Sequence, residues 1–203
     1  MNNFIQKSFS GGLCLTLDPV KGSCSDIVSN NEKLLRNSSE VHFCKINIEL
    51  YIANNSIGAV TQTVELIKQS NRKRIFILIQ GRVENDAGDI NNVPGEVYDL
   101  FNILNADAVI RKGVGEKELH FLSYVNTYYR GKSVIFDLTS SCNDIKSLNT
   151  SLNIISSRNS TGNCSVIIRT EHLAVVKKII KMPIFCYGDS ADKEKEYGVV
   201  WIV

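Results

Sequence analysis

No apolar run in this sequence approaches the ~20 residues that a membrane-spanning helix requires. Met1–Ser10 lack the basic stretch and apolar segment of a secretory signal, so a soluble cytoplasmic protein is expected. Charge of one sign is scarce too. Lys and Arg total 23 against 21 Asp and Glu, and the resulting +2 is too weak a bias to suggest a nucleic-acid partner. The six cysteines form no C-x-x-C pair, which removes the usual zinc spacing. Cys14, Cys44, Cys164 and Cys186 sit in or beside apolar runs and read as buried free thiols on strands. No Gly-x-Ser-x-Gly elbow surrounds the hydroxyl cluster at Thr139–Ser141. His42, His120 and His172 are scattered, with no acid or nucleophile at a telling spacing. No linker or repeat divides the chain, so residues 1–203 read as a single domain.

What the sequence does contain is a succession of short β-rich apolar runs. They are Leu13–Leu17, His42–Ile46, Ile75–Ile79, Ala108–Ile110, Ser133–Leu138, Ser165–Ile168, Ile184–Tyr187 and Val199–Val203. Their lengths suit strands buried on both faces. Between them lie amphipathic stretches. Ser56–Ser70 carries Ile57, Val60, Val64 and Ile67 on one face, Glu116–Tyr129 carries Leu119, Leu122 and Val125, and Glu171–Lys181 carries Leu173, Val176, Ile179 and Ile180. The basic residues Lys68, Arg72, Lys73 and Arg74 end one such helix and suit its C-terminal dipole. Thr139–Asn163, crowded with Ser, Asn and Thr, predicts a poor helix flanked by loops.

Strand and helix in alternation mean a parallel sheet with right-handed crossovers. Eight strands fit a (β/α)8 barrel of the TIM type. The chain stops at Val203, so the expectation is a shortened barrel lacking the helix after strand 8. The rival is an open doubly wound sheet, which would want a Gly-rich phosphate loop after the first strand. Leu17-Asp18-Pro19-Val20 stands there instead.

Barrel active sites gather at the carboxyl ends of the strands. The polar residues expected there are Asp18, Lys45, Asn47, Gln80, Arg82, Glu84, Asp86, Asp89, Arg111 and Lys112, then Asp137, Thr139, Ser140, Arg169, Thr170, Asp189 and Ser190. An Asp18–Lys45 pair tying strands 1 and 2 together is the simplest reading of those two, with nucleotide contact as the alternative.

Five segments in this order resemble the orotidine 5'-phosphate decarboxylase family. Leu13-Cys-Leu-Thr-Leu-Asp18-Pro19 is similar to the family's first strand and Phe43-Cys-Lys45-Ile-Asn47 to its second. Gly88-Asp89-Ile90-Asn91-Asn92-Val93 resembles the Gly-Asp-Ile-x-x-Thr segment, Asn105-Ala-Asp107-Ala108-Val109 the opening of the fourth strand, and Thr139-Ser140-Ser141 the Thr-Ser-Asn after the fifth. The resemblance implies conversion of orotidine monophosphate to uridine monophosphate without metal or organic cofactor. It also implies a homodimer whose mouths face each other, with Asp89–Val93 reaching across.

The family's lysine carries charge and proton to the carbanion-like C6, flanked by acids in Asp-x-Lys-x-x-Asp. This sequence departs from that motif. Counting back from Asp89 puts Asp86 at the lysine position. Counting forward from strand 3 puts Arg82 there, with Gln80 and Asn85 at the acid positions. No lysine lies between Lys73 and Lys112. The phosphate grip is altered as well, since Gly188 is followed by Asp189 and Asp192 and no arginine follows strand 8. The resemblance therefore carries over Lys45, Asp89 and Arg82 as impaired catalytic positions. It carries over Asp18, Asn47, Thr139, Ser140 and Arg169 as nucleotide-binding ones, with Arg169 as a substitute phosphate arginine. A degenerate, non-catalytic binding or structural barrel is expected. An active decarboxylase with a relocated lysine, Lys45 or Lys112, is the alternative. A homodimer or protein partner is expected to cover the apolar face beside strand 8, since large bare apolar patches are rare.

Overall fold

Apolar runs become strands where both faces find cover, and the strands at Phe76–Gln80, Ser133–Asp137, Cys164–Ile168 and Val199–Ile202 are buried throughout. The computed structural model describes residues 3–38, 40–70, 74–81, 90–140, 142, 144–188 and 198–203. Its strands are β1 (Gly12–Thr16), β2 (Val41–Asn47), β3 (Phe76–Gln80), β4 (Ala108–Lys112), β5 (Ser133–Asp137), β6 (Cys164–Ile168), β7 (Ile184–Tyr187) and β8 (Val199–Ile202). All pair in parallel with their sequence neighbours, and β8 returns to β1 through Cys14 and Ile202, closing the barrel. The open doubly wound sheet is thereby excluded.

Alternation along each strand divides the apolar residues between two cores. Outward residues such as Cys44, Ile79, Val109 and Phe136 pack under the helices. Inward residues such as Cys14, Phe43, Leu78, Ile135 and Phe185 fill the barrel. The helices are α1 (Asn3–Phe9), α2 (Cys24–Asn37), α3 (Ile48–Ala53), α4 (Gly58–Gln69), α5 (Val93–Tyr98), α6 (Glu116–Tyr128), α7 (Ile145–Arg158) and α8 (Leu173–Ile179). Among the described residues, no helix is long and apolar enough to cross a membrane.

Four helices, α1, α2, α3 and α5, have no counterpart in the sequence reading, and the first two bear on the barrel's ends. The first, α1, enters the amino-terminal end of the barrel. Its Phe4 ring lies 5.7 Å from Phe43 and 5.6 Å from Phe76, edge-on to both, and 6.3 Å from Phe185 in a stacked arrangement. The Gly198 N–H donates to the carbonyl of Phe9 at 2.7 Å, tying the end of α1 to the start of β8. The second, α2, opens on a reciprocal cap. The Asp26 N–H donates to the Ser23 hydroxyl, and the Asp26 carboxylate accepts from the Ser23 N–H.

The expected poor helix between residues 139 and 163 is instead the fourteen-residue α7. Asp144 caps it by accepting from the Ser147 N–H at 2.7 Å. Leu148, Leu152 and Ile155 bury one face, which outweighs the weak propensities of its Asn and Ser residues. All six cysteines are free thiols; Cys14, Cys44, Cys164 and Cys186 are buried, as the apolar runs imply, and Cys142 is buried as well. Burial pushes Cys44 up to about 12.

Candidate functional site

The barrel mouth follows from counting two residues upward from each inward core residue, which keeps the same strand face. On odd strands Cys14 leads to Thr16, Leu78 to Gln80, Ile135 to Asp137 and Phe185 to Tyr187. Alternate strands supply one layer of a barrel interior, so these four form a polar layer. On even strands Phe43 leads to Lys45 and then Asn47, Ile110 to Lys112 and Ile167 to Arg169.

Lys45 is 6% exposed. Its Nζ donates to the Tyr187 hydroxyl at 3.0 Å and lies 5.0 Å from that ring's centroid. Among the described residues no carboxylate pairs with it. The expected Asp18–Lys45 pair does not form. Leu17 is wholly buried on the outer side, and its carbonyl accepts from the Tyr51 hydroxyl at 2.8 Å. The chain therefore leaves the barrel at Leu17, and Asp18 stands exposed.

Gln80 ends β3 at 5% exposure, and its Oε1 has no hydrogen-bond partner among the described residues. Asn47, its register partner on β2, is half-buried with an equally unpartnered Oδ1. The turn that follows is tight. Gly81 takes φ +103°, and a Cβ there would stand 2.7 Å from Cγ of Glu49, so only glycine fits.

Asp137 is 6% exposed, and its Oδ1 accepts from the Thr139 N–H at 3.0 Å and hydroxyl at 2.6 Å. Thr139 thus holds the end of β5, while Ser140 is exposed. The exposed Arg169 donates from Nε to the Thr139 carbonyl at 2.8 Å and lies 3.8 Å from Glu171. On the rim, Lys112 and Glu49 form an exposed ion pair at 2.8 Å. Arg82, Glu84, Asp86, Asp89, Asp189 and Ser190 lie outside the described residues.

Arg111, expected at the mouth, instead faces outward from β4. It is 3% exposed, hydrogen-bonds Glu96 of α5, lies 3.5 Å from Glu118 of α6 and stacks over Phe121 at 4.7 Å. Lys117 completes this buried network, 3.7 Å from Glu96. Tyr187 is the residue that the sequence reading passed over. Its signal was available, since Tyr187 lies two residues after the inward Phe185 and so shares its face.

The described mouth thus holds one buried ammonium, one phenol, one threonine hydroxyl, two amide oxygens without partners among the described residues and one carboxylate engaged with its own loop. Among the described residues, no cluster of three or more His, Cys, Asp and Glu side chains is placed to hold a metal ion.

Set beside solved structures, the chain is similar over its whole length to the OMP decarboxylase of Leishmania donovani. The TM-score is 0.72 at 16% identity, covering 100% of this chain and 89% of that one. The orotidine 5'-phosphate decarboxylase homologue of Streptomyces avermitilis gives 0.73 at 12% identity, covering 100% and 86%. The chain folds as a TIM-type barrel similar to those of the OMP decarboxylases. Other chemistries share the architecture. The 3-hexulose-6-phosphate synthase of Salmonella typhimurium gives 0.57 at 17% identity, covering 94% and 88%. At such identities the likeness speaks for the barrel and leaves the chemistry to the residues in its mouth. No protein-family model matches the sequence, and no curated protein does.

Proposed function

We propose that this decarboxylase-type barrel does not decarboxylate orotidine monophosphate and serves as a binding or structural protein. One observation carries the reading. The inward residue that ends β3 is Gln80, an uncharged amide, where the family's motif would begin with an acid. That placement favours counting the motif forward from β3, which puts Arg82 at the lysine position. An arginine keeps its proton, because its pKa exceeds ~12. The alternative, an active enzyme with a relocated lysine, has weaker support. Lys112 is engaged with Glu49 on the exposed rim, and Lys45 has no acid beside it among the described residues.

A positioned general acid contributes ~10²–10⁴-fold. Loss of one oriented charge-stabilising group costs ~10²–10³. Both effects belong to the same missing lysine, so the deficit is at least the larger one. Pyrimidine nucleotide binding should suffer as well. An intact site with ligand at ~100 times its dissociation constant would gain ~2.7 kcal/mol, a melting shift of roughly 5–10 °C for a domain of this size. We expect a shift near zero with millimolar uridine monophosphate and no CO2 release from orotidine monophosphate. Turnover that disappears when Lys45 or Lys112 is replaced would overturn the reading.

The proposal includes self-association or a protein partner. Leu50, Ile52 and Ile57, just after β2 on the mouth side, are exposed apolar residues, and Leu13 and Leu15 beside β8 stay half-buried. Sedimentation at tens of micromolar tests it, and a strictly monomeric mass with no partner recovered would count against it.

A further inference from the structure

We infer that the barrel mouth is a site for a small carboxylate bearing a neutral N–H group beside it. The carboxylate sits on Lys45 and Tyr187, and the N–H faces Gln80. The inference rests on the reading of the mouth as a binding site without decarboxylase activity.

The first observation is a buried charge with no counter-charge among the described residues. Lys45 is 6% exposed, and its one hydrogen bond goes to a neutral phenol. Buried charges are normally paired, because an unpaired one forfeits its hydration. Lys45 donates to the Tyr187 oxygen, so the phenolic proton is left to donate elsewhere, and the ammonium keeps two further N–H groups. Donors from two side chains thus converge on one spot with a single positive charge. A carboxylate matches them in charge and in acceptor geometry. A phosphate dianion would leave charge uncompensated.

The second observation is independent of the first. The Oε1 of Gln80 and the Oδ1 of Asn47 are buried without partners among the described residues, on adjacent, in-register positions. Buried acceptors in native proteins are nearly always met by a donor. Lys45 pairs with Leu78, two residues below Gln80, so Lys45 and Gln80 are diagonal neighbours. Strand spacing and rise put their backbones roughly 8 Å apart. One small molecule spans that gap. Its donor toward Gln80 is neutral, because a second ammonium would be repelled by Lys45. A lactam or amide N–H next to a carboxylate meets both requirements. With an amide at residue 80 in place of an acid, nothing on β3 up to its last residue repels the bound carboxylate.

Thermal denaturation with three probes tests this. Pyroglutamate carries the lactam N–H and the carboxylate, pyrrolidone only the lactam, and cyclopentanecarboxylate only the carboxylate. Each is added at tens of millimolar against sodium chloride of equal ionic strength. Pyroglutamate should raise the melting temperature, cyclopentanecarboxylate should raise it less, and pyrrolidone should leave it unchanged. Lys45→Met should abolish the pyroglutamate shift. Tyr187→Phe, which keeps the ring and the fold, should weaken binding about tenfold. Gln80→Leu should make pyroglutamate and cyclopentanecarboxylate equivalent. Equal stabilisation by pyrrolidone and pyroglutamate, no stabilisation above salt, or undiminished binding by Tyr187→Phe would each overturn the inference. Those failures would leave the absence of CO2 release standing. Release of CO2 from orotidine monophosphate would instead overturn the reading beneath it, whatever pyroglutamate does.

Discussion

Replacing Phe4 with alanine tests whether α1 is part of the barrel core. The ring is 1% exposed and touches three other rings, Phe43, Phe76 and Phe185. Truncating a buried phenylalanine costs about 3–5 kcal/mol, from lost transfer energy and from the cavity left behind. Each aromatic pair adds ~0.5–1.5 kcal/mol beyond area burial. With three partners, Phe4→Ala should fall in the upper part of the range, about 4–5 kcal/mol. At ~2–4 °C per kcal/mol for a domain of this size, melting should drop by roughly 8–20 °C. In urea the midpoint should fall while the slope stays constant, because the same surface is exposed on unfolding. A smaller slope would mean that α1 detaches before the barrel opens. Gln6→Ala, on the exposed side of the same helix, serves as control and should stay within ~0.5 kcal/mol of the parent. A cost for Phe4→Ala below ~1 kcal/mol would refute the claim that this helix seals the barrel.

Asn31 is wholly buried and donates to the Tyr51 hydroxyl and to Thr63, both at 3.0 Å. Asn31→Ala should therefore cost about 1–3 kcal/mol in urea denaturation. Glu96→Ala should cost about 3–5 kcal/mol, because it leaves Arg111 and Lys117 buried with less counter-charge. The double change Arg111→Met with Glu96→Leu should cost less than the sum of its two single changes in a double-mutant cycle. Burial holds the Cys14, Cys44 and Cys164 thiols above their ordinary value of 9.0. Above about pH 9 the unfolded chain loses those protons while the folded barrel keeps them. Stability should then fall as pH rises, by roughly 1.4 kcal/mol per pH unit for each thiol. Lys132, lowered by burial, works the other way as it deprotonates first in the folded state. A thiol reagent at neutral pH should modify the half-buried Cys24 well before the five buried cysteines, and equal rates would contradict the burial pattern.

The eight strands were legible because a strand covered on both faces is a continuous apolar run, and each run matches an observed strand to within two residues. The helices were harder. The buried stripe of α2 is only Ile27, Asn31 and Leu35, one of them polar, so hydrophobic periodicity barely registers there. Its Ser23–Asp26 cap was the stronger signal. The seven residues of α1 are too few for periodicity, and only the packing of Phe4 against three strands shows its role. In α7, Asn, Ser and Thr speak against a helix individually, yet three apolar residues at helical spacing decide the outcome. At the site, residue identity gave Lys45 and Asn47 correctly as mouth residues. It misplaced Asp18 and Arg111, because side-chain direction at a strand's end depends on where the chain leaves the sheet. Leu17 and the outward-facing position of Arg111 settle that, and neither is visible in a list of polar residues.

The phenylalanine floor built on Phe4 has a consequence for traffic. One end of the barrel is packed with carbon, and the other carries Lys45, Gln80, Asp137 and Tyr187. Among the described residues the base is stoppered, so a ligand of the proposed site would reach Lys45 from the mouth and leave along the same path. Exchange is then a queue. A ligand of the proposed site would have to leave by the mouth before a second could take its place on the Lys45 ammonium.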